Sequence, residues 1–321
     1  MKKALITGAA GYIGSTLTYF LLNEGYTVIG VDKLKFGASA LEGALLNPNF
    51  KLIISDIYDT ENYADEIDGN TAVISLAAVV GEPACKKFEA EARRTNYEGA
   101  ERLIKTAKDK KAGKLIFATT CSNYGMVPEG TTANEESELN PLGLYAQSKV
   151  DIEKFLMNTV GNDLNWTILR FATVYGIGPR MRFDLTVNEF TAVGTLKKYL
   201  EIFLPHSVRP YAHVRDIARA IKLVLEKKDA SCNKIYNVGD SRENYEKQEI
   251  VNEVLKFVPD LKVEYVEKGT DLRNYRVNFD KIHKELGFEV TMRVPDGVKE
   301  IYEAIKSRRI NSIDNPNFYN V

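Results

Sequence analysis

The sequence predicts an α/β protein built on a doubly wound parallel sheet. Apolar runs of strand length stand at 3–7, 27–31, 50–55, 71–76 and 114–119, and segments with helical periodicity separate them, the clearest over 83–108. Alternating strands and helices favour a parallel sheet with helices on both faces. Because ligands of such sheets bind beyond the carboxyl ends of the strands, we expect the site at that edge.

The first strand ends in a glycine-rich turn. Residues 7–14 are Thr-Gly-Ala-Ala-Gly-Tyr-Ile-Gly, and helical periodicity follows over 11–23. The spacing of Gly8, Gly11 and Gly14 lets the backbone approach a pyrophosphate, whose charge is favoured at a helix N-terminus. The turn therefore predicts a Rossmann-type dinucleotide site. The alternative is a strand–turn–helix unit that binds nothing.

A carboxylate ends the second strand. Asp32 lies 18 positions after Gly14, where a carboxylate suits the ribose hydroxyls of NAD and repels the 2′-phosphate of NADP. The neighbouring Lys33 is a cation that favours some tolerance of phosphate. The sequence therefore predicts NAD rather than NADP.

Tyr145 and Lys149 form a Tyr-x-x-x-Lys pair. On a helix, positions i and i+4 share a face, so the ammonium of Lys149 can lie near the phenol of Tyr145. A nearby positive charge lowers the pKa of a phenol, and oxidation of a hydroxyl needs such a base. Together with the dinucleotide turn, the pair predicts hydride transfer from an alcohol.

With these motifs in view, the chain resembles the extended short-chain dehydrogenases/reductases, specifically the NAD-dependent nucleotide-sugar epimerase/dehydratase family. The resemblance covers nearly the whole chain, because the motifs recur in family order. They are residues 7–14, Asp56-Ile57, Leu76-Ala77-Ala78, Asn96, residues 119–125, the Tyr145/Lys149 pair and residues 209–216.

The resemblance implies a nucleotide-diphosphate sugar substrate, NAD as cofactor, no metal, and roles for particular residues. Thr120, Tyr145 and Lys149 would be catalytic, with Tyr145 as base and Lys149 on the nicotinamide ribose. The cofactor-binding residues would be these two with Gly8, Gly11, Tyr12, Ile13, Gly14, Asp32, Asp56, Ile57, Leu76, Ala77, Ala78 and Asn96. The substrate-binding residues would be Thr120, Ser122, Thr173, Arg180, Asn188, Arg209, Arg273 and Arg276. For the last two, the alignment leaves open which one meets phosphate.

The predicted reaction is oxidation of the sugar at C4 to a 4-keto intermediate. The 4,6-dehydratases of the family carry Asp-Glu directly after the catalytic Ser/Thr, whereas this chain has Cys121-Ser122, which disfavours dehydration. We expect Cys121 to serve packing, with an acid/base role beside the 4-keto intermediate as the alternative. Residues 77–85 and 175–185 resemble a GDP-heptose 4-dehydrogenase-like branch, while other members are 4-epimerases. Epimerase and dehydrogenase both remain open, with 4,6-dehydratase and 4-keto reductase as alternatives.

The resemblance also implies the domain organisation. Residues 1–175 would form the NAD-binding Rossmann domain with the catalytic residues. Residues 176–321 would form mainly a smaller C-terminal α/β substrate-binding lobe, with some segments returning to the core. His213 and Tyr124 would support the fold. A homodimer would form through the helix from Pro83 and the helix that carries Tyr145.

Composition narrows the remaining classes. A net charge of −1 predicts no general affinity for nucleic acid, and no apolar run has membrane length. RNA-binding or nucleotide-sensing relatives that have lost catalysis are the non-enzymatic alternatives, but they would not need Thr120, Tyr145 and Lys149 together. Three cysteines fit neither a disulfide framework nor a zinc site. We therefore expect a cytoplasmic enzyme.

Overall fold

The computed structural model describes residues 2–128, 130–269, 271 and 273–320. Met1 and Val321, the ends of the predicted domain ranges, lie outside the described residues. The strands are β1 Lys3–Thr7, β2 Thr27–Asp32, β3 Phe50–Ile54, β4 Thr71–Ser75, β5 Lys114–Thr120, β6 Trp166–Phe171, β7 Thr173–Tyr175, β8 Tyr199–Phe203, β9 Val208–His213, β10 Lys234–Val238, β11 Asn244–Glu246 and β12 Lys262–Val266.

The helices alternate with the strands through the first half of the chain and are less regular afterwards. They are α1 Tyr12–Asn23, α2 Glu42–Leu45, α3 Glu82–Lys87, α4 Glu89–Ala92, α5 Ala100–Asp109, α6 Leu144–Val160, α7 Thr186–Lys197, α8 Val214–Glu226, α9 Lys247–Leu255, α10 Asp280–Leu286 and α11 Val294–Lys306. None of these helices combines the length and the apolar character that crossing a bilayer requires.

A seven-stranded sheet carries the fold, in the order β10-β6-β5-β4-β1-β2-β3. Every pairing within it is parallel. The order reverses direction beside β1, which is the arrangement of a doubly wound sheet and puts a crevice at the carboxyl ends of β1 and β4. The predicted Rossmann-type parallel sheet is confirmed.

Both faces of the sheet are covered, which explains why its strands are apolar throughout. Successive residues of a strand point to opposite faces. In β1, Ala4 and Ile6 pack in one buried cluster with helices α1 and α8, whereas Leu5 packs in another with α5 and α6. A strand buried on both sides needs apolar residues at consecutive positions rather than at alternate ones.

The helix predicted over 83–108 is interrupted. Phe88 separates α3 from α4 because its φ of −121° and ψ of 52° lie outside the helical region. A π-helical segment at Arg93–Gly99 then joins α4 to α5. Asn96 lies in this segment with its side chain directed at the loop before α3. The single predicted helix is therefore wrong in its continuity, although its extent is close.

The later part of the chain builds a smaller lobe over the sheet edge. A second apolar core joins α7, α9 and α11 to strands β8 and β9 through buried residues such as Val187, Leu200 and Ile250. β8 pairs with β12, and β9 lies between β7 and β11. β10 and α8 belong to the large sheet and its covering layer. The chain thus leaves the sheet after β6 and returns to it at β10.

Candidate active site

A cavity of about 720 Å³ lies between the carboxyl edge of the sheet and the smaller lobe. Its walls include the glycine turn after β1, the ends of β4 and β5, the first turns of α6, and the loop between β7 and α7. A volume of this size is within the range of ligand sites in enzymes. The predicted location of the site at this edge agrees with the cavity.

The glycine turn is packed so tightly that it excludes side chains. A Cβ at Gly8, whose φ is +77°, would lie 2.8 Å from the backbone of Ala77, and a Cβ at Gly14 would collide with the carbonyl oxygen of Gly8. Gly11 precedes α1 and offers no side chain to cap it. The first N–H groups of α1 therefore face the cavity without a capping partner, as a bound pyrophosphate requires.

Asp32 stands at the end of β2 beside this turn. Its Oδ2 accepts a hydrogen bond from Ala10 N at 3.0 Å, and its Oδ1 accepts one from Leu34 N at 2.7 Å. Burial raises the pKa of Asp32, and the two backbone bonds counteract part of that rise. Lys33 Nζ is held by Glu91 at 2.7 Å. The cation next to Asp32 is thus already paired with a carboxylate.

The other cofactor positions fall on the same side of the cavity, with one exception. Tyr12, Ile13, Asp56, Ile57, Leu76, Ala77 and Ala78 line the cavity. Asn96 does not line it: the Asn96 amide accepts from Val79 N at 2.8 Å and donates to Val79 O at 2.9 Å. Asn96 therefore holds the loop after β4 in place, which corrects its prediction as a residue in direct contact with the cofactor.

Thr120 ends β5 and its hydroxyl faces the cavity with that of Ser122. The two oxygens are 2.8 Å apart, and Thr120 Oγ1 also accepts from Ser122 N at 3.1 Å. The pair forms a short hydroxyl relay on one wall. A sugar hydroxyl placed there could exchange hydrogen bonds with Thr120 while the rest of the ring remains in the cavity.

Tyr145 and Lys149 lie on the first two turns of α6 and both line the cavity. Lys149 is 3% exposed, and its Nζ donates to Ala118 O at 3.0 Å. Burial lowers the pKa of Lys149 to about 8, which Cys85 and Glu153 partly counteract. The ammonium is thus anchored at the end of β5, one helical turn from the phenol.

The electrostatics of Tyr145 correct the prediction of a lowered phenol pKa. Burial is the largest cause and raises the pKa of Tyr145 above its ordinary value, with a further rise from Cys85 and Glu82. Arg182 and Arg273 lower it, but not enough to reverse the effect. The reduction expected from Lys149 therefore does not outweigh the effect of burial in the protein alone.

Four arginines converge on the lobe side of the cavity, and carboxylates orient three of them. Arg182 makes a bidentate pair with Asp184 at 2.9 and 2.8 Å. Arg273 does the same with Asp271, which also meets Arg209 at 3.2 Å. Guanidinium groups held in this way keep donors free for phosphate oxygens. The residues of this group that line the cavity are Arg180, Arg182, Arg209 and Arg273.

Arg180 differs from the other three because aromatic and tail groups hold it. Its guanidinium carbon lies 3.7 Å from the centroid of the Phe36 ring. Its Nε donates to Asn317 O at 3.2 Å, and its NH2 donates to the side chain of Asn320 at 2.9 Å. Burial, followed by repulsion from Arg182, lowers the pKa of Arg180 to about 10. The C-terminal tail therefore docks on the cavity wall.

Two predicted substrate residues do not reach the cavity. Asn188 is fully buried, since its Oδ1 accepts from Gly176 N at 2.8 Å and its Nδ2 donates to Arg182 O at 2.9 Å. It supports the loop that carries Arg182 instead of meeting a ligand. Arg276 is exposed and donates to Asn244 O at 3.3 Å, outside the cavity. Of the two alternatives, Arg273 is the one in the site.

Three other residues considered in the sequence analysis have buried side chains: Cys121, Tyr124 and His213. Cys121 Sγ points away from the cavity to Arg170 O at 3.3 Å, and burial raises the pKa of its thiol. The phenol of Tyr124 is buried and donates to Asn237 Oδ1 at 2.8 Å. His213 accepts from Arg215 N and meets Glu300 through Nε2, while burial lowers its pKa to about 4. Thr173, to which the resemblance assigns substrate binding, lines the cavity.

Several cavity residues carry no signal that would have marked them in the sequence. Glu82 and Lys247 are ordinary charged residues at helix starts, yet both line the cavity. Lys247 Nζ donates to Phe203 O at 2.6 Å, and Phe203 lines the same cavity. Asn320 reaches the site from the tail. Only the long-range fold brings these residues together.

Known proteins share both the sequence and the arrangement of this chain. The model of the NAD dependent epimerase/dehydratase family matches residues 4–239. A dTDP-glucose 4,6-dehydratase of Streptomyces niveus is 27% identical over 329 residues, which cover 96% of this chain and 94% of that protein. A UDP-glucose 4-epimerase of Mycolicibacterium smegmatis is 27% identical over 320 residues, covering 95% and 99%.

Solved structures share the whole architecture. A UDP-glucose 4-epimerase of Thermotoga maritima, solved with UDP-glucose, superposes with a TM-score of 0.83 at 26% identity and covers 96% of this chain and 99% of that one. A dTDP-glucose 4,6-dehydratase of Bacillus anthracis, solved with NAD, gives a TM-score of 0.83 at 22% identity, covering 99% of each chain. The second likeness bears on the fold alone.

Proposed function

Because the chain belongs to the NAD dependent epimerase/dehydratase family, we propose that it oxidises a nucleotide-diphosphate sugar at C4. Membership confirms the predicted family, the predicted enzyme class and NAD as cofactor. The proposal extends to the substrate, to the roles of individual residues and to the outcome of the reaction.

One observation carries the proposal: the dinucleotide turn, the Thr120–Tyr145–Lys149 group and the arginines line a single cavity. The turn excludes side chains where a pyrophosphate would lie, as Gly8 and Gly14 require. The arginines supply positive charge on the opposite, lobe side. A ligand with a diphosphate at one end and an oxidisable hydroxyl at the other matches this arrangement.

Thr120, Tyr145 and Lys149 each have a separate role in the proposed reaction. Thr120 binds the oxygen of the C4 hydroxyl, and Tyr145, in its phenolate form, accepts the proton of that hydroxyl. Lys149 binds the nicotinamide ribose and adds positive charge beside the phenolate. NAD, when bound, supplies the hydride acceptor. The alcohol carbon thus loses a hydride while its oxygen loses a proton, and a ketone results.

The side chains after Thr120 argue against dehydration as the next step. A 4,6-dehydratase needs an acid to expel the 6-hydroxyl, but Cys121 is directed into the core and burial raises the pKa of its thiol. Ser122 faces the cavity without a carboxyl group. The 4-keto product is therefore either reduced again on its other face, as in an epimerase, or released, as in a dehydrogenase.

We further propose that residues 1–175 contribute mainly the cofactor site and residues 176–321 mainly the substrate site. We also propose a cytoplasmic homodimer formed through α3–α5 and α6. The choice of these helices follows from the family resemblance. Three free cysteines suit a reducing compartment. Light scattering of the purified protein would contradict the dimer if it gave the mass of one chain at micromolar concentration.

A panel of UDP-, GDP-, dTDP- and CDP-sugars tests the proposed function. The purified protein is incubated with each sugar and NAD in deuterated water, and products are read by mass spectrometry alongside nicotinamide absorbance. A new diastereomer of unchanged mass identifies an epimerase. Loss of two hydrogens with reduced cofactor identifies a dehydrogenase. Loss of water would contradict the role given to Cys121 and Ser122.

A further inference from the structure

Glu82 links the cofactor loop to the helix that carries the proposed base. It is the first residue of α3, and its carboxylate reaches the N-terminus of α6. Glu82 Oε2 accepts from Tyr145 N and Oε1 accepts from Ala146 N, each at 3.3 Å. α6 has no capping side chain of its own, because Gly143 occupies the capping position. A residue from another element therefore caps the catalytic helix.

The local sequence leaves room for this contact. The Glu82 carboxylate lies where a Cβ would stand on Gly143, so any larger residue there would displace it. The preceding Gly81 has a φ of +93°, a conformation that favours glycine. Both glycines are thus needed to bring the carboxylate against the helix end.

The loop backbone that precedes Glu82 is itself held in place by side chains. The loop before α3 is fixed by Asn96, which bonds both backbone groups of Val79. Cys85, one turn after Glu82, donates its thiol to Val79 O at 3.2 Å. The same loop lines the cavity beside the dinucleotide turn. A contiguous set of contacts therefore runs from the cofactor loop through Glu82 to Tyr145.

We propose, building on the function proposed above, that Glu82 is a positioning residue for Tyr145. Its carboxylate fixes the first turn of α6 and places a negative charge beside the phenol. The N-terminus of a helix carries partial positive charge, and a carboxylate at that end is stabilising. Glu82 thereby offsets the field that the end of α6 would otherwise exert on Tyr145.

The charges around Tyr145 define the expected direction of the effect. Burial is the largest contribution and raises the pKa of Tyr145; Cys85 and Glu82 raise it further, while Arg182 and Arg273 lower it. Lys149, on the same helix as Tyr145, is a further cation of this site. Without the charge of Glu82 the phenol loses a proton at lower pH. Since the base acts deprotonated, the alkaline rise of kcat/KM should also move to lower pH.

Three variants separate position from charge. Glu82→Gln keeps an amide oxygen that can accept one backbone N–H but removes the charge, so the pH profile should shift while kcat falls only a few-fold. Glu82→Ala and Gly143→Ala both remove the cap, so each should lower kcat by about tenfold or more, a loss typical of a misplaced reacting group. KM for the sugar should change little. Glu89→Gln, an exposed site on α4, is the matched control and should alter neither quantity.

A titration that needs no sugar decides the inference independently of the reaction. Protein labelled with ¹³Cζ-tyrosine is titrated by NMR, and the Tyr145 resonance is assigned by its loss in Tyr145→Phe. Its deprotonation should begin at lower pH in Glu82→Gln than in the wild type or in Glu89→Gln. An unchanged titration, or wild-type kcat in both Glu82→Ala and Gly143→Ala, would overturn the inference. A shifted titration in a protein that oxidises no sugar would count against the proposed function alone.

Discussion

At the residue scale, the phenol of Tyr145 is the group on which the proposed chemistry depends. Tyr145→Phe keeps the ring that packs beside Val79 and Cys85 but removes the base. Turnover should fall by on the order of a hundredfold or more, whereas NAD affinity should be nearly unchanged. Stopped-flow absorbance and calorimetry measure the two quantities.

The matched control is Tyr302→Phe on α11, a partly buried phenol of the lobe, which should keep wild-type turnover. Near-full turnover of Tyr145→Phe on the substrate of the wild type would exclude Tyr145 as the base.

Cofactor choice is also decided at one residue. Asp32 accepts two backbone N–H groups, and the adjacent Lys33 is paired with Glu91. Both facts favour the free ribose hydroxyls of NAD over a phosphate. Asp32→Ala should weaken NAD binding by about tenfold or more, because a charged hydrogen-bond partner is lost. The difference between the affinities for NAD and for NADP should become smaller.

Calorimetry with both cofactors measures this preference. Equal or tighter binding of NADP to the wild type would contradict the role of Asp32. Glu91→Gln provides a second readout: it removes the shared partner of Lys33 and Lys35 and leaves Lys33 the longer contact with Asp56 at 3.5 Å. It should improve NADP binding without removing the carboxylate of Asp32.

At the scale of elements, a buried ion pair ties α6 to the sheet beneath the site. Arg170 of β6 donates from Nε and NH2 to the carboxylate of Glu153 on α6, at 3.2 and 2.6 Å for Oε2. Both side chains are nearly inaccessible. Asn123, in the turn after β5, donates to the same carboxylate at 2.9 Å. The pair thus fixes the catalytic helix against two strand ends.

Glu153→Ala should lower the free energy of unfolding by about 3–5 kcal/mol, because it leaves the guanidinium of Arg170 buried and unpaired. Urea denaturation followed by circular dichroism measures the loss. The double variant Glu153→Met/Arg170→Met removes both charges and should recover much of it. If Glu153→Ala were as stable as the wild type, the pair would not hold α6 in place.

The regular elements of the sheet could be predicted because their signals are local. β1 to β5 are apolar runs bounded by turn residues, and the order of strand, glycine turn and helix marks the dinucleotide site. The break at Phe88 and the π-helical segment around Asn96 leave no periodic signal. In the π-helical segment, Asn96 bonds Val79 in the loop before α3, a contact that the periodicity of the sequence does not reveal.

The site could be predicted only where a motif spans it. The structure brings Thr120, Tyr145, Lys149 and the glycine turn to one cavity, and their catalytic roles remain predictions. Asn188 and Arg276 lie outside the cavity because residue type reveals neither the burial of Asn188 nor the exposed position of Arg276. The raised pKa of Tyr145 depends on burial and on charges from three other segments, which adjacency to Lys149 does not reveal.

At the scale of the whole molecule, the reaction needs both halves of the cavity at once. The sheet edge presents the dinucleotide turn and the lobe presents Arg182, Arg209 and Arg273, while Tyr145 stands between them on α6 as the proposed base. The C-terminal tail closes one side, where Asn320 meets Arg180 and lies within 3.5 Å of Val80 O. Sugar oxidation should therefore require the intact chain, since neither half alone holds cofactor and diphosphate together.

Oxidation of the sugar at C4 is tested most sharply by following the hydrogen at that carbon. A nucleotide sugar that the protein turns over is prepared with deuterium at C4 and mixed with excess protein and NAD in a single turnover. The reaction is quenched by rapid denaturation, and the cofactor is examined by mass spectrometry. Oxidation at C4 predicts that the deuterium moves to the cofactor: it remains on reduced cofactor when a ketone is released, and it is returned to C4 when the product is an epimer. Deuterium that exchanges into water, or a ketone formed while the cofactor stays oxidised, would contradict oxidation at C4.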